Sequence, residues 1–115
     1  MKVFVYGTLM RGHGNNWLMQ DAAFLGEAET NPEYTLYNLG HFPGMVEEGK
    51  TSIKGEVYDV SSWTLGWLDK LENVPELYQR KKITLQNGEA VETYIFPRKS
   101  LNAADLEIKS GDWRS

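Results

Sequence analysis

Glu72 is the residue of this 115-residue chain best placed to move a proton. At ~100° per residue, a helix over Trp63–Glu72 sets Trp63, Leu65, Trp67, Leu68 and Leu71 on one broad apolar face. Glu72 comes seven residues after Leu65 and four after Leu68, so its carboxylate projects between them at the margin of that stripe. Asp69 and Lys70 fall on the polar side. Desolvation at such a margin raises a carboxyl pKa towards values useful for general acid–base work. The ordinary alternative is a solvated, inert glutamate on the rim of a helix end. A proton carrier needs a second group that holds what it acts on.

The first ten residues offer one. Val3-Phe4-Val5-Tyr6 reads as a short buried strand, and Gly7 stops it. A polar loop with Gly7, Gly12 and Gly14 follows. A strand that runs into such a loop leaves backbone N–H groups without ladder partners, free to face an anion as nests and helix N-termini do. No Gly-Lys-Ser/Thr follows the glycines, which excludes a phosphate loop by pattern. The loop is a candidate cradle for a carboxylate or an oxyanion.

The elements that must bring these two groups together are short. Asn15 and Asn16 are candidate caps of a helix through Trp17, Leu18 and Met19, and Ser61 and Ser62 cap the helix that carries Glu72. Pro75 keeps that helix from running on. Strand pattern covers Ala22–Glu29, Tyr34–Leu39, Met45-Val46, Thr51–Val60, Ile83–Leu85 and Val91–Phe96. Pro43-Gly44 reads as a turn and Asn87-Gly88 as a tight hairpin. In Thr51–Val60, Ile53, Gly55, Val57 and Asp59 share one face, and Lys54, Glu56, Tyr58 and Val60 the other. The tail from Leu101 is polar, with Leu106, Ile108 and Trp113 as anchors. Five to seven short strands and two helices imply an α+β fold, a mainly antiparallel sheet that can close into a barrel.

Composition narrows the chemistry. One domain over 1–115 is expected, and 12% aromatic residues offset a modest apolar fraction of 41%. A net charge of −4 and only one cationic run, Arg80-Lys81-Lys82, argue against a nucleic-acid partner. With no cysteine there is no disulfide, thiolate nucleophile or thiolate metal site. His13 and His41 have no third ligand at metal spacing, so no metal or cofactor is expected. No charged-then-apolar segment precedes the first strand and no apolar run reaches ~18 residues, so the expectation is cytoplasmic, with no membrane partner.

The motifs together resemble the gamma-glutamylcyclotransferase-like family. They are Val3-Phe4-Val5-Tyr6-Gly7-Thr8-Leu9 with Arg11-Gly12, then Gly55-Glu56-Val57-Tyr58, then Leu68-Asp69-Lys70-Leu71-Glu72. Val74-Pro75-Glu76-Leu77-Tyr78-Gln79-Arg80 is similar to the gamma-glutamylamine cyclotransferase branch. Gly40-His41-Phe42-Pro43-Gly44 and Ser110-Gly111-Asp112-Trp113 are similar to small bacterial members. The resemblance implies a small, mixed, mainly antiparallel β-barrel flanked by short helices, with the first loop and Glu72 in one cavity. It implies the acid–base role for Glu72 and substrate binding by Tyr6, Gly7, Thr8 and Leu9. Tyr78 has two open positions, lining the cavity or packing under the helix, and is carried as a substrate-binding candidate. Arg80 is expected in solvent at a strand edge, and Asp69 in water or supporting the loop.

The reaction so implied is release of 5-oxoproline from a small gamma-glutamyl compound. Such an amide carries its own nucleophile, because the α-amine can close a five-membered ring on the side-chain carbonyl. No serine or cysteine nucleophile is required, in keeping with the absence of cysteine and of a Gly-x-Ser-x-Gly elbow. One carboxylate between the attacking and departing nitrogens can serve both. The alternative is a non-catalytic binding or interaction module on the same fold. A monomer or weak homodimer is expected.

Overall fold

The first strand, β1 (Lys2–Val5), is buried on both faces. Val3 and Val5 belong to one apolar cluster, and Phe4 and the following Tyr6 to a second. Side chains that alternate across a strand make such a double burial possible, and it sets the layers of the molecule. The computed structural model describes all of residues 1–115. Seven further strands complete one sheet: β2 (Ala23–Glu29), β3 (Tyr34–Asn38), β4 (Pro43–Glu47), β5 (Lys54–Asp59), β6 (Gln79–Thr84), β7 (Ala90–Ile95) and β8 (Leu106–Glu107).

The strand order is β2-β5-β1-β7-β4-β3-β8, with β6 pairing β7 off that path. Only the β1–β7 and β4–β7 contacts are parallel. Past the end of β2, Thr30 bridges Leu85, and the Gln86 N–H donates to the Glu29 carbonyl at 3.0 Å. That contact draws β2 towards the end of β6, and the sheet curls into a partly closed barrel. Phe4, Leu36, Met45, Ile53, Val57 and Val91 lie in the cluster on one side of it. The single α-helix, α1 (Ser62–Leu71), adds Leu65 and Leu68 to the cluster on the other, with Val3, Val5 and Val60. Ser61 caps the helix as expected, its Oγ accepting the Thr64 N–H at 3.1 Å.

Several expectations are corrected. The buried face of α1 is Thr64, Leu65 and Leu68, whereas Trp63, Trp67 and Leu71 are exposed. The sequence contains two apolar stripes, one at i, i+3, i+7 through Leu65, Leu68 and Glu72 and one at i, i+4, i+8 through Trp63, Trp67 and Leu71. The sheet covers only one side of a ten-residue helix, and the first stripe takes it. The helix expected after Asn16 is a 3₁₀ segment, Asn16–Met19, with no side-chain cap; the Asn15 side chain instead donates from Nδ2 to Thr8 Oγ1. Pro43-Gly44 opens β4 instead of forming the turn, which lies at Leu39–Phe42 with the Leu39 N–H on the Phe42 carbonyl. Strand β6 begins at Gln79 and takes in the whole cationic run, and the strand count is eight.

β1 and β5 meet closely where they pass at Gly55. A Cβ there would stand 2.2 Å from the Val5 carbonyl oxygen and 2.9 Å from the Phe4 ring. At Gly66, mid-helix, it would meet nothing within 4 Å. The same substitution is therefore expected to act with opposite sign at the two positions. Gly55→Ala should cost about 2 kcal/mol or more through overpacking against backbone. Gly66→Ala should gain up to ~1 kcal/mol of helix propensity. Urea midpoints read both changes, and a Gly55→Ala midpoint at or above that of the parent would contradict this packing.

Candidate active site

Where β1 ends, the end of α1 and the loop before β4 approach it and enclose a cavity of about 250 Å³. Tyr6, Gly7, Thr8 and Leu9 form one wall, Glu72 and Tyr78 face the same space, and Tyr94 of β7 and Pro43 complete it. All six residues expected in the site thus surround one cavity, although Leu9 and Glu72 lie sixty-three positions apart. Tyr78 holds both of the positions open to it, lining the cavity and packing in the cluster of Leu65 and Leu68. Of the two histidines, His41 lies at the cavity and His13 does not, and no three His, Cys, Asp or Glu side chains group as metal ligands would.

Glu72 is aimed by the way α1 stops. Asn73 takes a left-handed φ of 52°, which asparagine tolerates better than most residues. The Val74 N–H then donates to the Asp69 carbonyl at 3.0 Å and the Asn73 N–H to the Lys70 carbonyl at 3.1 Å. This pair of reversed bonds is a Schellman closure, and it satisfies carbonyls that a helix end would leave open. Glu72 stands at the cap of that closure, on the same stripe as buried Leu65 and Leu68. No lysine or arginine lines the cavity. Burial without a cation pushes the Glu72 carboxyl up from 4.5 to about 7.

The loop is held from behind. Asn15 Nδ2 donates to Thr8 Oγ1 at 2.9 Å, and Asn16 Nδ2 to the Leu9 carbonyl at 2.8 Å and to the Tyr58 hydroxyl at 3.2 Å. Glu56, only 1% exposed, accepts the Arg11 N–H at 2.9 Å and the Tyr58 hydroxyl at 3.0 Å, and Arg11 Nε lies 3.3 Å away. Desolvation would raise the Glu56 carboxyl, but these three bonds outweigh it and hold it below its ordinary value. With the loop pinned, the N–H groups of Gly7, Thr8 and Leu9 make no hydrogen bond inside the protein. Gly7 has to be glycine here, because a Cβ would come within 2.8 Å of the Pro43 ring on the opposite wall.

The tyrosine hydroxyls of the cavity are already engaged. Tyr6 donates to the Tyr94 carbonyl at 2.6 Å and accepts the Met45 N–H at 3.1 Å, and Tyr78 donates to the Pro43 carbonyl at 2.7 Å. Burial raises the pKa of both, with the Glu72 charge adding to it. They are fixed walls and weak acids. Tyr94 donates to Asp69 Oδ1 at 2.7 Å, and Asp69 is ion-paired with Arg80 Nε at 3.1 Å. Arg80 also meets Glu92 at 2.9 Å, so it is not a solvated edge residue. Asp69 supports the wall at Tyr94, not the loop.

Sequence reasoning missed Glu56 as the clasp of the loop and Tyr94 as a wall. Strand alternation gives Glu56 only a face, and nothing in it marks a carboxylate whose both sides are covered. Its only signal was place, beside Gly55 and Tyr58 in the motif.

Known proteins resemble this chain in sequence and in fold. The family model described as "Gamma-glutamyl cyclotransferase, AIG2-like" matches residues 3–115. A Vibrio cholerae protein, provisionally named a gamma-glutamylcyclotransferase, is 46% identical over 96% of this chain and 93% of its own. The Escherichia coli gamma-glutamylcyclotransferase family protein YtfP is 39% identical over 98% of this chain and 96% of its own. The solution structure of YtfP superposes with a TM-score of 0.76, covering 98% of this chain and 96% of that one at 37% identity. The crystal structure of a mouse AIG2-like protein gives 0.75 over 89% of this chain and 79% of that one, at 31% identity. The expected mixed, mainly antiparallel fold is the fold of these proteins. This chain belongs to the gamma-glutamyl cyclotransferase, AIG2-like family.

Proposed function

We propose that the protein releases 5-oxoproline and a free amine from a gamma-glutamyl compound, by attack of the substrate's own α-amine. The observation that carries this reading is a proton-carrying carboxyl, Glu72, lining one cavity with Gly7, Thr8 and Leu9, whose backbone N–H groups have no partner within the protein. Serine, cysteine and lysine are absent from the residues that line it. Such an equipment suits a substrate that supplies its own nucleophile.

In this reading the substrate enters with its α-nitrogen as an ammonium. The Glu72 carboxylate, at a pKa near 7, takes a proton from it. The freed amine attacks the γ-carbonyl carbon, the new C–N bond closes the ring, and negative charge collects on the carbonyl oxygen. N–H groups of Gly7, Thr8 and Leu9 are the donors available to that oxygen or to the α-carboxylate. Glu72 returns its proton to the departing nitrogen as the old C–N bond breaks. Glu72 then takes the second proton of the ring nitrogen and passes it to the departing amine, which leaves as an ammonium. Holding the substrate bent gives the ring closure its proximity advantage. His41, Phe42, Leu71 and Leu77 at the cavity are a mainly apolar wall for the leaving amine's carbon chain. That fits the gamma-glutamylamine branch, and gamma-glutamyl-ε-lysine is the first substrate to try.

Product identity tests the reaction. The acyl product should be 5-oxoproline, with no glutamate formed directly, and N-acetylation of the α-amine should abolish turnover. A hydrolase that activates water would make glutamate and accept the acetylated compound. A cavity that binds gamma-glutamyl compounds with no turnover would support the binding-module alternative.

Glu72→Gln keeps the shape but carries no proton, so activity should fall by at least ~100-fold in a folded protein. For the parent, kcat/KM should rise with pH along an acid limb centred near 7, the value burial imposes on Glu72. Stability follows the opposite course. The folded state holds the Glu72 proton more tightly than the unfolded chain between 4.5 and about 7. The group's stabilising contribution is therefore complete below 4.5 and lost as pH rises through 7. Glu72→Gln should be more stable than the parent at alkaline pH and close to it in mild acid. Denaturation at the two pH values checks this; a variant less stable at both would assign Glu72 to structure.

A further inference from the structure

Three indoles stand in water on the side of α1 turned away from the sheet. Trp63 is 75% exposed, Trp17 of the 3₁₀ segment 64% and Trp67 47%. They line a second cleft, of about 220 Å³, with Leu18, Asp21 and Thr64 among its other walls. It shares no residue with the cavity of Glu72. Single exposed apolar residues are ordinary, but a cluster rimmed by polar groups marks a surface that meets something.

The chemistry of the cleft is specific. Indole is the aromatic face that attracts cations best, and Trp63 and Trp67 stand edge to face at 74° with centroids 6.1 Å apart, so their faces point in different directions. Lys70 already places its ammonium 4.9 Å from the Trp67 centroid, so a Trp67 face accepts a cation in this fold. The one charged side chain in the lining is Asp21, whose carboxylate has no hydrogen bond or ion pair within the protein. No lysine, arginine or histidine lines the cleft, and the chain carries a net charge of −4. A primary ammonium would need three acceptors at close range; Gln20, Asp21 and Thr64 offer some here, but three indoles and Leu18 make up the larger part of the lining. A methylated ammonium has no such need and presents apolar methyl groups around a positive charge.

We propose that the cleft of Trp17, Trp63, Trp67 and Asp21 binds a small free organic cation of the quaternary or trimethylated ammonium class. Its methyl groups pack on the indoles and its charge faces Asp21. The indoles report on their own occupancy, so the test is a titration of tryptophan fluorescence at low salt, with calorimetry alongside. The probes are choline, tetramethylammonium and the uncharged choline isostere 3,3-dimethylbutanol. Choline should saturate and bind at least ~10-fold more tightly than the neutral isostere. Trp63→Ala and Trp17→Ala should each weaken it ~10-fold, and Asp21→Asn several-fold, at unchanged urea midpoints. Equal binding of the isostere would overturn the proposal, as would no saturation by either cation. A fluorescence change with protein concentration alone would assign the cleft to a second copy of the chain. Partition onto phosphatidylcholine vesicles without binding of free choline would assign it to a membrane surface. Either result also overturns the proposal.

Discussion

A carboxyl group taken out of water must either find a partner or hold its proton towards neutrality, and this fold contains one of each kind. Glu56 is almost wholly buried, yet two bonds from Arg11 and one from Tyr58 keep it charged. Glu72 is given no cation, and its carboxyl is pushed up to about 7. Environments that drive two carboxyls apart are how one fold separates structural from chemical roles. The charged one clasps the loop. The one poised near neutrality faces the cavity that the loop lines.

The arrangement depends on rigidity at both ends. Tyr6 closes β1 onto Tyr94 and Met45, and Asn15, Asn16 and Glu56 hold the next residues from outside the cavity. Donors left open by such a loop need little reorganisation when charge develops near them, and this is where electrostatic stabilisation is largest. At the other end the Schellman closure at Asn73 stops α1 one residue before Glu72 can turn outward. The Tyr94–Asp69–Arg80–Glu92 chain ties that turn of helix to β7 and β6. The site is therefore built on strand ends and a helix end, with little left to side-chain freedom.

Much of this was legible in the residues. Val3–Tyr6 followed by Gly7 reads as a buried strand running into an open loop, because both its composition and its stop are local signals. Ser61 reads as a cap for the same reason, and its hydrogen bond forms. What resisted reading was decided by tertiary contacts. Trp63, Trp67 and Leu71 make as good an apolar stripe as Leu65 and Leu68, and only the width of the sheet says which one is covered. The cationic run Arg80-Lys81-Lys82 hides the start of β6, since Arg80 is paired with Asp69 and Glu92, and Lys81 with Glu47, from other elements. Strand β8, two residues long, has no local pattern at all.

The central claim is that burial alone, without a cationic partner, brings Glu72 to the pH range in which it can carry a proton. Carbon-13 NMR of the glutamate side-chain carboxyls, followed through pH with Glu72→Gln to assign the signal, measures this at the residue itself. The account predicts one carboxyl titrating near 7 that is absent from the variant. A Glu72 signal titrating near 4.5 would contradict it.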